Sequence, residues 1–191
     1  KAYDTHLDRL VAVKVLPADK VPDPDRMRRF VQEAKAASAL NHPNIVHIYD
    51  IDKNAGTCFI AMEYVNGKSL SDALEEGLTL RRSVEIISAI GDALAEAHEH
   101  GIVHRDIKPS NVVMNERGQV KVLDFGLAKQ LFSPSSSGVD LNADTVFSTQ
   151  TRSDVIVGTP LYLSPEQAKG KPVDGRSDLF SLGSLLYECL T

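Results

Sequence analysis

Apolar residues recur along the chain at two spacings. Residues 10–16 (LVAVKVL) alternate with a period of two: Val11, Val13 and Val15 face one way, and Leu10, Ala12, Lys14 and Leu16 the other. That pattern predicts a buried strand containing a lysine. Asp23-Pro24 then reads as an N-cap followed by proline in the first turn, and opens a helix that runs to about Leu40. Its stripe is Phe30, Ala34 and Ala37, and Glu33 falls on the same stripe. A lysine is rarely buried alone, and a carboxylate on a packing face needs a cation. Lys14 and Glu33 are therefore predicted to pair, and breaking a buried pair costs about 3–5 kcal/mol. Residues 45–51 and 58–65 read as two strands joined around Asn54-Ala55-Gly56. Ser69 starts a short helix closed by Gly77. Thr79 caps a longer one with Ile86, Ile87, Ile90, Leu94 and Ala97 inward, ending at Gly101. Val112–Met114 and Val120–Leu123 read as brief strands. A last helix places Leu179, Leu182, Leu186 and Leu190 on one face.

Composition adds limits. The chain has 191 residues, enough for one large domain or two small lobes, and could bury roughly 70% of its extended surface. A net charge of −5 argues against nucleic acid as the main partner. Cys58 and Cys189 lie far apart within apolar patterns and read as buried free thiols, which suits a reducing compartment. No apolar run reaches membrane-spanning length. The chain opens at Lys1 and stops inside an apolar helical pattern, so a piece cut from a longer protein is expected.

The polar residues that interrupt these patterns carry the chemistry. His104-Arg105-Asp106-Ile107-Lys108-Pro109-Ser110-Asn111 is a dense polar loop between the long helix and the strand at 112–114. Loops held on rigid elements are where function concentrates. Asp124-Phe125-Gly126 follows the next strand. Gly158-Thr159-Pro160 leads to Ser164-Pro165-Glu166, where Ser164 and Gln167 have capping-box spacing. Ser177-Asp178-Leu179-Phe180-Ser181-Leu182-Gly183 opens the last helix. Residues 127–157 are rich in Ser and Thr and carry no periodicity, as a long functional loop would.

In this order, VAVK, HRDIKPSN, DFG, GTP with SPE, and SDxxSLG resemble the motifs of the eukaryotic-like (Hanks-type) serine/threonine protein kinases. NHPNIV and LSPEQA resemble their bacterial members in particular. The resemblance spans essentially the whole chain. It implies an α+β, two-lobed protein kinase-like fold: a small antiparallel β lobe with one helix, and a mainly helical large lobe. Residues 1–65 would form a partial N-terminal lobe, with strands three to five and helix C but no Gly-rich loop. Residues 66–191 would form a partial C-terminal lobe, with catalytic and activation loops, up to helix F.

The same resemblance implies transfer of the γ-phosphoryl group of ATP to Ser or Thr hydroxyls of proteins. Asp106 would take up the hydroxyl proton, and Lys108 would reach the γ-phosphate. Asn111 and Asp124 would hold Mg²⁺, with Mn²⁺ as a substitute. Lys14, oriented by Glu33, would hold the α/β-phosphates. Ala12, Met62, Val65 and Val113 would line the nucleotide pocket, with Met62 as gatekeeper and the backbone of Glu63 and Val65 on adenine. Arg105 would pair with a phosphorylated loop residue, Thr151 or Ser153 first, then Ser148 or Thr149. Thr159 and Glu166 would belong to the peptide-substrate platform, and Asp178 would tie down the catalytic loop. Lys108 and Thr159 favour Ser/Thr over Tyr. His104 would pack beside Phe125, and His98 and His100 would act through the helix dipole. The implied partners are ATP, Ser/Thr-bearing proteins and a second kinase copy for trans-autophosphorylation; nucleic acid is not among them. A cytoplasmic catalytic domain is expected, with membrane anchoring of the parent protein left open. Without its missing parts the fragment is expected to be a weak enzyme. A pseudokinase-like binding module and a small-molecule kinase of related fold are the rival readings. The intact metal and base positions argue against the first, and the GTP with SPE segment against the second.

Overall fold

The computed structural model describes residues 1–16, 24–54, 57–125 and 160–191. Its N-terminal part is one antiparallel sheet, in the order β1-β2-β4-β3, built from β1 (Ala2–Asp4), β2 (Arg9–Leu16), β3 (Ile48–Asn54) and β4 (Thr57–Glu63). Helix α1 (Pro24–Ser38) buries Phe30, Ala34 and Ala37 as its stripe predicts. The β2–β4 register sets Lys14 opposite Ile60 and Ala12 opposite Met62.

Two strand readings change. Val11 is buried, yet Val15 on the same face is 55% exposed, so only the first half of β2 is core. The residues from Ile45 do not join β3 at once. Val46 N–H donates to Val122 O at 3.0 Å, Val122 N–H to Asn44 O at 2.8 Å, and the Asn44 amide to Val120 O at 2.8 Å. Distant pairing takes these backbone groups, and β3 begins only at Ile48. The short strand β1 was not legible in the pattern, because three residues show no alternation.

The second part holds β5 (Gly67–Ser69), α2 (Leu70–Glu76), α3 (Leu80–Glu99), a 3₁₀ turn at Pro109–Asn111, β6 (Val112–Asn115) and β7 (Val120–Val122). A 3₁₀ turn at Pro160–Tyr162, α4 (Pro165–Ala168) and α5 (Gly175–Leu190) complete it. Strands β5-β6-β7 form a second antiparallel sheet. Gly67 is dictated by crowding there, since a Cβ would stand 1.9 Å from Met114 O. The caps at Ser69 and Thr79 form as read: each side-chain oxygen accepts a backbone N–H in the first turn. Helix α3 buries Ile86, Ile90, Ala93, Leu94 and Ala97 and packs against α5.

The inward face of α5 differs from the leucine stripe. Its buried residues are Ser177, Asp178, Ser181, Leu185 and Cys189, while Leu179 and Leu190 are 56% and 50% exposed. Small hydroxyls make the close approach: Ser181 Oγ donates to Tyr162 O at 2.7 Å, and Ser83 Oγ on α3 to Cys189 O at 2.8 Å. Both cysteines are buried and free, and burial raises their thiols above the ordinary range. Among the described residues no helix is long and apolar enough to cross a membrane.

Candidate active site

The loop at 104–111 is held in shape by side chains arriving from far along the chain. Asp178, fully buried at the start of α5, accepts His104 N–H at 2.8 Å and Arg105 N–H at 2.7 Å. Its Oδ2 also meets His98 Nε2 at 2.8 Å. The local sequence alone would not choose this shape. Arg105 has φ 66°, a left-handed conformation that costs a non-glycine residue about 1–2 kcal/mol and must be held by its surroundings.

His104 is fully buried, and its ring packs edge-on against Phe125 with centroids 4.7 Å apart. Asp106 N–H donates to His104 Nδ1 at 3.2 Å, which places the ring proton on Nε2, where it meets Leu123 O at 2.8 Å. Burial holds this imidazole below its ordinary pKa, so it is neutral. It shapes the loop and is not placed to relay protons.

Three chemically active side chains converge at the far end of the loop. The Asn111 amide donates to Asp106 O at 2.8 Å and to Asp106 Oδ2 at 2.9 Å. Lys108 Nζ reaches the same Oδ2 at 2.8 Å. Asn111 is 8% exposed, and the turn Pro109–Asn111 aims it inward. Because its nitrogen is committed to Asp106, its oxygen is the end available to a cation.

Lys14 and Asp124 meet at 2.8 Å, which brings the β2 lysine to the second residue past the end of β7. Asp124 is left-handed, at φ 56°. Glu33 is half-buried on the face of α1 that carries Phe30 and Ala34. Met62 lies at the end of β4, where Ile48, Asp124 and Phe125 join it around a small apolar recess. Ala12, Val65 and Val113 are all half-buried. Glu63 N–H is committed to His47 O at 2.9 Å, and its carboxylate meets Lys121 Nζ at 2.8 Å. Among the described residues no cluster of three His, Cys, Asp or Glu side chains could hold a metal unaided. One carboxylate and one amide oxygen, at Asp124 and Asn111, suit a hard cation that takes its other ligands from phosphate and water.

The predicted capping box forms at α4, with Ser164 Oγ and the Gln167 side chain each accepting the other's backbone N–H. Glu166 accepts the Ser177 hydroxyl, which holds its carboxyl below the usual carboxylate range. Gly126, Thr151, Ser153, Thr159, Ser148 and Thr149 lie outside the described residues.

Two contacts had no local signal. His98 was expected to act only through the helix dipole, but it binds Asp178, 80 positions away. The one sequence clue is Gly175, where a Cβ would come 2.8 Å from His98 Nδ1. The Lys121–Glu63 pair joins the two sheets across 58 positions.

The whole chain, residues 1–191, matches the family model described as Protein kinase domain. It is 47% identical over 196 residues to the probable serine/threonine-protein kinase SCO3848 of Streptomyces coelicolor, and 46% identical to serine/threonine-protein kinase PknB of Mycolicibacterium smegmatis. Both alignments cover all of this chain, which spans only 27% and 29% of those relatives' lengths. The crystal structure of the Mycobacterium tuberculosis PknI kinase domain is similar, with a TM-score of 0.71 and 29% identity over 94% of this chain and 61% of that one.

Proposed function

The chain belongs to the protein kinase domain family, in its bacterial Hanks-type serine/threonine branch, and from that premise we propose that it transfers the γ-phosphoryl group of ATP to Ser or Thr hydroxyls of proteins. The observation that carries this reading is the convergence of Asn111 and Lys108 on Asp106 Oδ2, at 2.9 and 2.8 Å. The amide fixes the carboxylate's rotamer. The ammonium beside it supplies positive charge where a phosphoryl group would arrive.

Each residue then has a defined task. Asp106 orients the acceptor hydroxyl and takes its proton. Lys108 neutralises charge on the transferred group. Lys14 leaves Asp124 for the α/β-phosphates, and Glu33 is its proposed partner in that state. Asn111 and Asp124 hold Mg²⁺, which when bound neutralises phosphate charge. ATP and Mg²⁺ are what the family generally uses, and the donor set here fits them. Met62, Ala12, Val65 and Val113 line the adenine pocket. Since Glu63 N–H is already committed, the carbonyl of Glu63 is its proposed contact with adenine. A groove of about 570 Å³ beside Lys108, lined by Ser71, Glu75, Ser110, Tyr162 and Glu188 among others, offers a path for an extended peptide. Residues 1–65 and 66–191 are proposed as the two lobes. Arg105 is proposed to receive a phosphate on Thr151 or Ser153 from a second copy, with Thr159 and Glu166 on the substrate platform.

The test is Mg²⁺-dependent labelling with γ-labelled ATP, comparing the protein with its Asp106→Asn variant. Label that is lost in the variant supports the reading, and mapping the label tests Thr151 and Ser153. Mg-ATP binding without any transfer would sink the catalytic reading in favour of a binding module.

A further inference from the structure

Helix α4 has only four residues, so its two ends are nearly all of it. Gln167 closes its N-terminus: Oε1 accepts Ser164 N–H at 3.1 Å. A capping box needs only that acceptor, and Glu would serve as well as Gln. The other end of the side chain is what sets Gln167 apart. Nε2 donates to Arg105 O at 2.7 Å, 62 positions back along the chain. The two contacts also fix the amide's orientation, because a flip would set donor against donor and acceptor against acceptor.

We propose that Gln167 is a positioning residue for Asp106, joining the α4 helix to the peptide that aims the Asp106 carboxylate. Arg105 O belongs to the peptide unit immediately before Asp106. That unit is held at both ends: its carbonyl by Gln167, and its N–H, on Asp106, by His104 Nδ1 at 3.2 Å. Rotating this plane would swing the Asp106 side chain away from Asn111 and Lys108. The plane needs holding, because Arg105 sits at φ 66°. Asp178 holds the other side of Arg105, through its N–H at 2.7 Å. Asp178 therefore ties the loop to α5, and Gln167 ties the next peptide to α4. Because α4 also carries Glu166, bonded to Ser177 on α5, a shift of α4 would reach Asp106 through one side chain.

The inference rests on the kinase reading for its catalytic consequence and on geometry alone for its structural one. Gln167→Glu separates the two contacts: it keeps the cap acceptor but faces Arg105 O with a second acceptor. In the full-length protein, with Mg-ATP and a Ser-containing peptide, kcat should fall about 10- to 100-fold, the size of a roughly 1 Å misplacement. The KM for ATP should stay within about twofold, a split that general destabilisation would not give. Amide exchange in peptides covering 104–111 should quicken at least about fivefold, with α5 unchanged. A kcat within twofold of wild type, or unchanged exchange at 104–111, overturns the proposal. If the wild-type protein transfers no phosphate, the kinase reading fails, and the exchange result alone decides the role of Gln167.

Discussion

Replacing Asp178 by alanine tests how the loop at 104–111 is held. The carboxylate is fully buried and accepts two backbone N–H groups, from His104 and Arg105, and meets the His98 ring. Hydrogen bonds to a charged group contribute about 1.5–3 kcal/mol each, and a buried donor left without a partner costs about 1–3 kcal/mol. Two such donors give a sum of about 3–6 kcal/mol, and the cost of burying the charge offsets part of it. The expected loss is about 4 kcal/mol, a large share of the roughly 5–15 kcal/mol that stabilises a domain. At roughly 2–4 °C per kcal/mol for a chain of this size, Tm should drop by about 8–16 °C. Urea titration followed by far-UV circular dichroism measures this directly. His98→Ala removes one of the three contacts and leaves both backbone donors paired, so it should cost only about 1 kcal/mol. The reasoning is refuted if Asp178→Ala costs less than about 1 kcal/mol, or if His98→Ala costs as much as Asp178→Ala.

Two further outcomes follow from the geometry. The buried His104 ring stays neutral when folded but takes a proton when unfolded below about pH 6.5. The unfolded state then binds more protons, so this residue makes stability fall as pH drops below that value, at up to about 1.4 kcal/mol per unit. A His104→Phe variant should lack that part of the slope between pH 6.5 and 5, and equal slopes in both proteins would refute the assignment. Lys121→Met removes the Lys121–Glu63 pair and the bond from Lys121 to Ile45 O at 3.2 Å. The lysine side chain is 12% exposed and the glutamate 28%, so the cost should lie between surface and buried values, about 1–2 kcal/mol by urea titration. A change under about 0.5 kcal/mol would count against a role in joining the two sheets.

What could be read from the sequence was local or chemically dictated. The caps at Ser69, Thr79 and Ser164 form because donor and acceptor lie within three residues of each other. The residues Asp106, Lys108 and Asn111 stood out because few structural needs put those types at that spacing, and the structure brings them together. Long-range choices were hidden. Leucine positions misplaced the inner face of α5, because serines allow the closest approach and leucine pattern cannot weigh that. The start of β3 depended on backbone groups that pair instead with β7. His98 and Gln167 each read as serving a nearby helix end, and only the fold reveals their second partners, 80 and 62 positions away.

The separation between the loop and its clamp also bears on how the chain is made. His104 and Arg105 leave the ribosome 74 and 73 residues before Asp178. At about 5–20 residues per second, the left-handed turn at Arg105 waits several seconds for the side chain that holds it. Until then a nascent chain can form the four-stranded sheet and α3, whose residues all come earlier, but not a settled Asp106. The order of synthesis therefore keeps the 104–111 loop unassembled until α5 begins to dock.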